Sequence, residues 1–364
     1  MPQTLSVIKA AVGGFVGQSA VHPDLLAIAS EAVERSVQAG LLIDGLVTHC
    51  GEDLVLIVSH EHGEDAETVH RFAWDTFVEG TAVARQLKLY GAGQDLLVDT
   101  FPGSITGAGP VSAELQFEER TSEPVIVFLA SETSTGAFNI PLYKTFADPF
   151  NTPGLVMAES MHAGFAFEVH DVKAQRKIML GVPEELYDLL VFIGASSRYV
   201  VKRVVSRGGD VVAVASTDKL AAAAGRYVGS DDPALIVRCQ GDFPAVGEAL
   251  EPFTTAWTVE GFMRGSHTGP LMPVATANAQ AGRFDGPPRV VALGFQLAEG
   301  KLVGPRDLFD DPSFDNARAE ANTVTDYLRK HGPFEPHRLP LDEMEFMTMP
   351  SVAEKLDPRW VELR

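Results

Sequence analysis

Two acidic pairs and one basic, glycine-containing turn carry most of the chemistry this chain can offer. Asp231-Asp232 follow Gly229 and precede Pro233 and the apolar run Ala234-Leu235-Ile236-Val237. A chain that bends at Gly229 and then enters a buried strand sets both carboxylates at the strand's mouth. Glu52-Asp53 lie between two apolar stretches, 41–49 and 54–60, where a hairpin turn is expected. These residues present carboxylate oxygens, the donors that hard cations such as Mg²⁺ favour. Taken singly, each acidic pair also fits a solvated turn or a helix cap. Arg264-Gly265-Ser266-His267 offers backbone N–H groups, a hydroxyl, an imidazole and a fixed positive charge, the makings of a phosphate nest. A plain glycine turn with a hydrogen-bonded histidine is the bland alternative. Cys50 reads as a small buried hydrophobe, and His22 before Pro23 as structural.

The elements that must position these residues follow from the patterning. A weakly alternating strand is expected over 4–10. Pro23-Asp24 opens a helix with Leu25, Ile28, Ala29, Ala32, Val33 and Val37 on one face, stopped by Gly40. A long helix is predicted over 64–89, broken by Gly91-Ala92-Gly93-Gln94-Asp95, then strands over 112–119 and 124–130. Strand–helix alternation runs from Phe165 to Leu250, with a helix over 183–195. After Pro252 the chain reads as loop-heavy, with a last helix over 314–330 and an irregular, Pro-rich tail from Gly332. The hairpin demands antiparallel pairing, and strands outnumber helices. The expected fold class is therefore α/β of the mixed α+β kind, with mixed sheets covered by helices in a single domain, 1–364.

Composition excludes several function classes. The 364 residues are 45% hydrophobic and 21% charged, ordinary for a folded chain. A formal net charge of −20 argues against nucleic acid or an anionic membrane as partner. Bound divalent cations would reconcile that acidity with an anionic substrate. Only Cys50 and Cys239 are present, so neither a disulfide framework nor a four-cysteine zinc site is available. The start, Met1-Pro2-Gln3-Thr4, has no signal-peptide character, and no apolar span is long enough to cross a bilayer. A cytoplasmic location is expected.

The octet Arg226-Tyr227-Val228-Gly229-Ser230-Asp231-Asp232-Pro233 resembles the signature of the archaeal-type fructose-1,6-bisphosphate aldolase/phosphatase family. The resemblance covers nearly the whole chain. Thr48 to Leu54 is similar to the family's His-x-Gly-Asp-Asp metal-binding turn, and Ala92 to Leu97 to the segment carrying its glutamine ligand. Leu142 to Leu155, Met263 to His267, Gly269 to Val274, Arg283 to Arg289, Asp307 to Pro312 and His331 to Phe334 look like unbroken family blocks. The resemblance implies a sandwich of two packed mixed β-sheets covered by helices, and large homo-oligomers, octamers by likeness. It implies metal ligation by Glu52, Asp53, Gln94, Asp231 and Asp232, with one or two Mg²⁺ and Mn²⁺ as a substitute. Substrate contacts would come from Tyr90, Lys144, Arg264, Gly265, Ser266, His267, Asp285 and Arg289. Catalytic roles would fall to Tyr227, Asp231, Asp232 and Glu132.

The departures are as specific as the matches. Ser230 stands where the family has a lysine that forms a Schiff base with the ketose, and serine forms none. Ala11 and Gln18 occupy the places of an aspartate and a histidine ligand, and Ser131-Glu132 that of an Asp-Lys pair. Glu52 is one methylene longer than the family's aspartate, and Phe346 lacks the hydroxyl of its catalytic tyrosine. The expected function is a Mg²⁺-dependent enzyme acting on a phosphorylated ketose or related sugar phosphate. It would hydrolyse a phosphoester or stabilise an enediolate for C–C lyase chemistry, repurposed from the family's ancestral site. The alternatives are the intact gluconeogenic fructose-1,6-bisphosphatase/aldolase and a catalytically inert phosphosugar-binding subunit.

Overall fold

Residue types on successive positions of the first strand explain the layering. In Gln3–Ala11 nearly every side chain is buried, so both faces of the strand must be covered. Leu5 and Val7 point to one side and Ile8 and Ala10 to the other, the two-residue period of an extended chain. The computed structural model describes residues 2–16, 19–96, 110–219, 232–263, 267–280, 283, 286–330 and 349–363, and for a few of these, Gln94 and His267 among them, only the backbone.

Gln3–Ala11 pairs antiparallel with Asp53–His60 on one edge and Val111–Phe117 on the other. Asp44–Cys50 and Asp218–Lys219 complete a five-stranded sheet. A ten-stranded sheet is built around Glu123–Ser131, which lies between Ala234–Arg238 and Arg289–Ala298. It continues through Val211–Ala215, Tyr199–Ser206, Phe165–Asp171 and Arg176–Val182 to Val361–Glu362. Every pairing in it is antiparallel except the short parallel contact of Met272–Pro273 with Arg289–Ala298.

The two sheets pack face to face. Leu5, Val7, Ile57 and Leu115 meet Val125, Val127, Leu129, Ile236 and Val291 in one buried cluster. Helices Pro23–Gln38 and Glu67–Gln86 cover the outer face of the smaller sheet through Leu25, Val33, Val69 and Phe77. Asn139–Ala147 and Leu186–Ile193 cover the larger sheet through Leu142, Phe146, Leu189 and Phe192. The fold is thus the α/β sandwich expected, two sheets between helical layers. Truncating a central side chain such as Leu5 to alanine costs on the order of 2–5 kcal/mol.

Boundaries differ from expectation where the signals are weak. The long helix spans Glu67–Gln86, shorter at both ends than the pattern suggested. The region after Pro252 is not mainly loop. It contains the ten-residue strand Arg289–Ala298, masked in the sequence by Pro287-Pro288 before it and by Gly294 and Gln296 within it. The tail carries a helix, Met349–Leu356, and the edge strand Val361–Glu362. No helix among the described residues is long and apolar enough to cross a membrane.

Candidate active site

Five chain segments end at one junction between the sheets. The antiparallel register sets Ala11 opposite Asp53 and Cys50 opposite Asp53, so the acidic hairpin closes beside the end of the first strand. The central strand of the larger sheet ends at Ser131, which faces Arg289. Glu132 and Asp232 both adopt left-handed backbone, φ +63° and +52°, which turns the chain sharply at both strand ends. The two turns are tied reciprocally: Asp232 N donates to Thr133 O (2.8 Å), and Thr133 N donates to Asp232 Oδ1 (2.9 Å). Gly51, at φ +59°, sits where a Cβ would run into Ser131 Oγ, so the hairpin and the central strand meet backbone to side chain.

Charge is concentrated here. Lys9 is 1% exposed. Its Nζ makes an ion pair with Asp53 Oδ2 at 2.7 Å and donates to Ala130 O at 2.8 Å. Burial alone would pull its ammonium down, but Asp53 and Asp232 outweigh that and raise it. Burial, Asp53 and Glu132 push the Asp232 carboxyl well above the usual range against the pull of Lys9 and of Thr133 N–H. Burial, with Asp53, Glu132 and Asp95 adding repulsion, pushes Glu52 up to about 9. Glu52 Oε2 is buried without a hydrogen-bond partner among the described residues. Among the described residues, Lys9 and Arg289 therefore face carboxylates that outnumber them: Glu52, Asp53, Asp95, Glu132 and Asp232. An all-oxygen donor set with a buried, unpartnered oxygen fits a divalent cation of the Mg²⁺ or Mn²⁺ type.

The remaining expected residues divide into those brought to this junction and those held elsewhere. Arg289 lies within electrostatic reach of Cys50 and Glu132 and is lowered by burial. It donates to Asn278 O (2.5 Å) and to Gln280 O, and its Nε is buried without a partner among the described residues. The turn at 90–96 runs along the end of the first strand. Tyr90 pairs with Gly14 through its backbone, Gly93 N donates to Val12 O, and Ala11 N donates to Asp95 Oδ2 at 2.8 Å. The backbone of Gln94 is thereby placed at the junction, while the Tyr90 side chain is 63% exposed at its margin. Lys144 is engaged by Asp148 (2.5 Å) and lies over the rings of Tyr143 and Trp257, so its ion pair is not with the carboxylate cluster. Tyr227, Asp231, Arg264, Gly265, Ser266 and Asp285, with Gln18, Ser230 and Phe346, lie outside the described residues, as does the His267 side chain. Cys50 is buried, donates to Leu129 O at 3.3 Å and is pushed up to about 12 by burial, as a structural thiol should be. His22 caps the first helix by accepting from Asp24 N.

Sequence reasoning missed Lys9 and Asp95. A lysine inside the otherwise apolar run Val7-Ile8-Lys9-Ala10-Ala11 was the available signal, since a buried ammonium needs an anionic partner. Asp95 adjoins Gln94 and gives no local sign that it anchors a strand end.

Known proteins place this geometry in a lineage. A family profile described as Fructose-1,6-bisphosphatase matches residues 3–361. A fructose-1,6-bisphosphate aldolase/phosphatase from Moorella thermoacetica is 58% identical over 362 residues, 99% of this chain and 94% of that protein. The protein of the same name from Ignicoccus hospitalis is 55% identical over 98% of this chain and 92% of its own length. That from Methanothermobacter marburgensis is 53% identical, with both chains covered in full. Similarity of this depth and extent, over a fold whose strand ends gather the expected carboxylates, has one reading: the chain belongs to the fructose-1,6-bisphosphate aldolase/phosphatase family.

Proposed function

We propose that the chain is a divalent-cation-dependent enzyme that acts on a phosphorylated ketose or closely related sugar phosphate by hydrolysing a phosphoester. The observation that carries this reading is the positively undercharged carboxylate set of buried Asp53 and half-buried Glu52, Glu132 and Asp232, with Glu52 Oε2 unpartnered among the described residues. Its relatives bear the name fructose-1,6-bisphosphate aldolase/phosphatase, which makes fructose 1,6-bisphosphate the first substrate to try. Asp53, Asp232, Glu52 and the neighbouring Gln94 and Asp231 would hold one or two Mg²⁺. A bound cation would supply Lewis acidity and neutralise the phosphate.

The chain's own groups do the rest. Lys9 holds Asp53 in place from within the strand. Arg289 supplies fixed positive charge beside Glu132. The hairpin Thr258–Met263 and His267–Pro270 pairs Met263 with His267, leaving Arg264, Gly265 and Ser266 between them. Its first strand abuts the cluster, where Ser134 N and Thr133 Oγ1 donate to Glu260 O at 3.0 and 2.6 Å. That anchoring supports Arg264 to His267 as the phosphate contact, with Asp285, Lys144 and Tyr90 at the substrate's margin. Because position 230 is serine, aldol chemistry through an imine has no nucleophile there. We further propose that the chain works in the cytoplasm, as one domain over 1–364.

Phosphorus NMR of fructose 1,6-bisphosphate with the protein and Mg²⁺ tests the reaction. Inorganic phosphate with a sugar monophosphate is expected. Triose phosphates would replace hydrolysis by metal-assisted carbon–carbon cleavage, and no turnover with retained binding would make the chain a sugar-phosphate-binding subunit. Borohydride treatment with dihydroxyacetone phosphate is expected to leave the protein mass unchanged; a stable adduct would reveal a relocated lysine nucleophile.

A further inference from the structure

A second group of metal-type donors lies at the other end of the smaller sheet. Glu114, on Val111–Phe117, pairs across the sheet with Ser6, whereas Asp53 pairs with Ala11. The two positions are five residues apart on one strand, roughly 17 Å. His70 projects from the second turn of the helix Glu67–Gln86, and Asp65 lies just before that helix. A ring nitrogen of His70, a Glu114 carboxylate oxygen and a carboxylate oxygen of Asp65 all lie within 4.8 Å of one another. His70 and Glu114 are buried and Asp65 is exposed, so the group has two fixed donors and one open to solvent.

Hydrogen bonds from outside the group orient its central carboxylate. His62 N donates to His60 Nδ1 (3.2 Å), which leaves the His60 proton on Nε2. That nitrogen lies 2.8 Å from Ser6 Oγ and donates to it, and Ser6 Oγ in turn donates to Glu114 Oε1 at 2.6 Å. The chain His60–Ser6–Glu114 holds one carboxylate oxygen and aims the other, Oε2, at His70 Nε2, 3.1 Å away. Outer-shell bonding of this kind fixes ligands in metal sites. The separation is also close to the roughly 3.3 Å between two ligands of a tetrahedral zinc ion at about 2.05 Å each.

We propose that Asp65, His70 and Glu114 form a site for a divalent transition cation of the zinc type, separate from the carboxylate cluster at the active site. The imidazole selects zinc over magnesium, which favours oxygen donors alone. With its ring proton on Nδ1, His70 offers the Nε2 lone pair to the ion. Glu114 Oε2 and the Asp65 carboxylate complete three protein ligands, and water takes the fourth position. The ion would fasten the helix Glu67–Gln86 to the edge of the sheet.

Zinc titration against a competing chelator, with magnesium in excess to fill the active site, tests this assignment. Asp65→Gly removes one ligand, keeps the backbone N–H that donates to Glu114 Oε2 (2.7 Å) and suits the φ of +57° at that position. Wild type is expected to bind one zinc equivalent that Asp65→Gly weakens at least tenfold and Asp232→Asn leaves unchanged. Zinc X-ray absorption should show imidazole scattering. If the Asp65→Gly protein melts lower than wild type without metal, Asp65→Asn carries the same expectation. Equal zinc affinity in wild type and the Asp65 variant, loss of zinc in Asp232→Asn instead, or a spectrum of oxygen ligands alone would each overturn the proposal.

Discussion

Lys9 is the residue on which the electrostatics of the candidate active site turn. It is a buried cation with Asp53 at 2.7 Å, and it also stabilises the Asp232 charge. Removing one partner of a buried ion pair leaves an uncompensated charge and typically costs about 3–5 kcal/mol. Lys9→Met is expected to lose that much in urea unfolding without metal. Added Mg²⁺ should restore more stability to the variant than to wild type, because the same carboxylates then recruit the ion as their counter-charge. An identical Mg²⁺ response in both proteins would show that the carboxylates do not gather a cation. At the phosphate end, Arg264→Ala should weaken sugar-phosphate binding by roughly ten- to a hundredfold, the effect of about 1.5–3 kcal/mol for a charge-assisted contact. A thermal-shift titration with and without the substitution reads this directly.

The hairpin and the larger sheet set the geometry those residues need. Gly51→Ala forces a side chain into Ser131 at a left-handed turn, so it should cost about 2 kcal/mol and weaken Mg²⁺ binding by displacing Glu52 and Asp53. Urea midpoints and calorimetric titration of the variant check both effects. On Phe165–Asp171, Glu168 faces a different balance. Burial would raise its carboxyl, but the hydrogen bond from His170 (2.7 Å) and the charges of His170, Arg203 and Lys177 hold it at about 2. A folded value below the unfolded one, about 4.5, means stabilisation that is complete above pH 4.5 and is lost as pH falls towards 2. Wild type should exceed Glu168→Gln by on the order of 3 kcal/mol at pH 5.5, with the gap closing down that window. The acidic hairpin was legible in the sequence because a carboxylate pair between two apolar runs is a local signal. The pairing of Ala11 with Asp53 was not, since strand register links positions far apart in the chain. Nor was Arg289–Ala298, whose turn-like flanks conceal a central strand.

Across the whole molecule, surface chemistry separates two kinds of partner. The net charge of −20 repels anions at long range, so under the proposed function a sugar phosphate would need its charge met locally, by Arg289, the 264–267 turn and bound cations. Among the exposed apolar side chains, three fall within one short stretch, with Phe150 97%, Val156 63% and Met157 83% accessible. A patch of that kind marks a protein contact. We propose that copies of this chain cover it for one another. Light scattering is expected to show a homo-oligomer, an octamer by likeness to the family, and Phe150→Glu with Met157→Glu is expected to shift it to smaller species. A monomeric wild type would leave that surface to another role.

The most direct measurement of the central claim is phosphate release from fructose 1,6-bisphosphate as a function of Mg²⁺, for wild type and for Asp232→Asn. Asparagine keeps the size of the side chain and tolerates the φ of +52°, so it removes the charge while sparing the turn. The account predicts release that saturates with Mg²⁺ in wild type and falls at least a hundredfold in the variant. Release that ignores Mg²⁺, or that proceeds equally in Asp232→Asn, would contradict it.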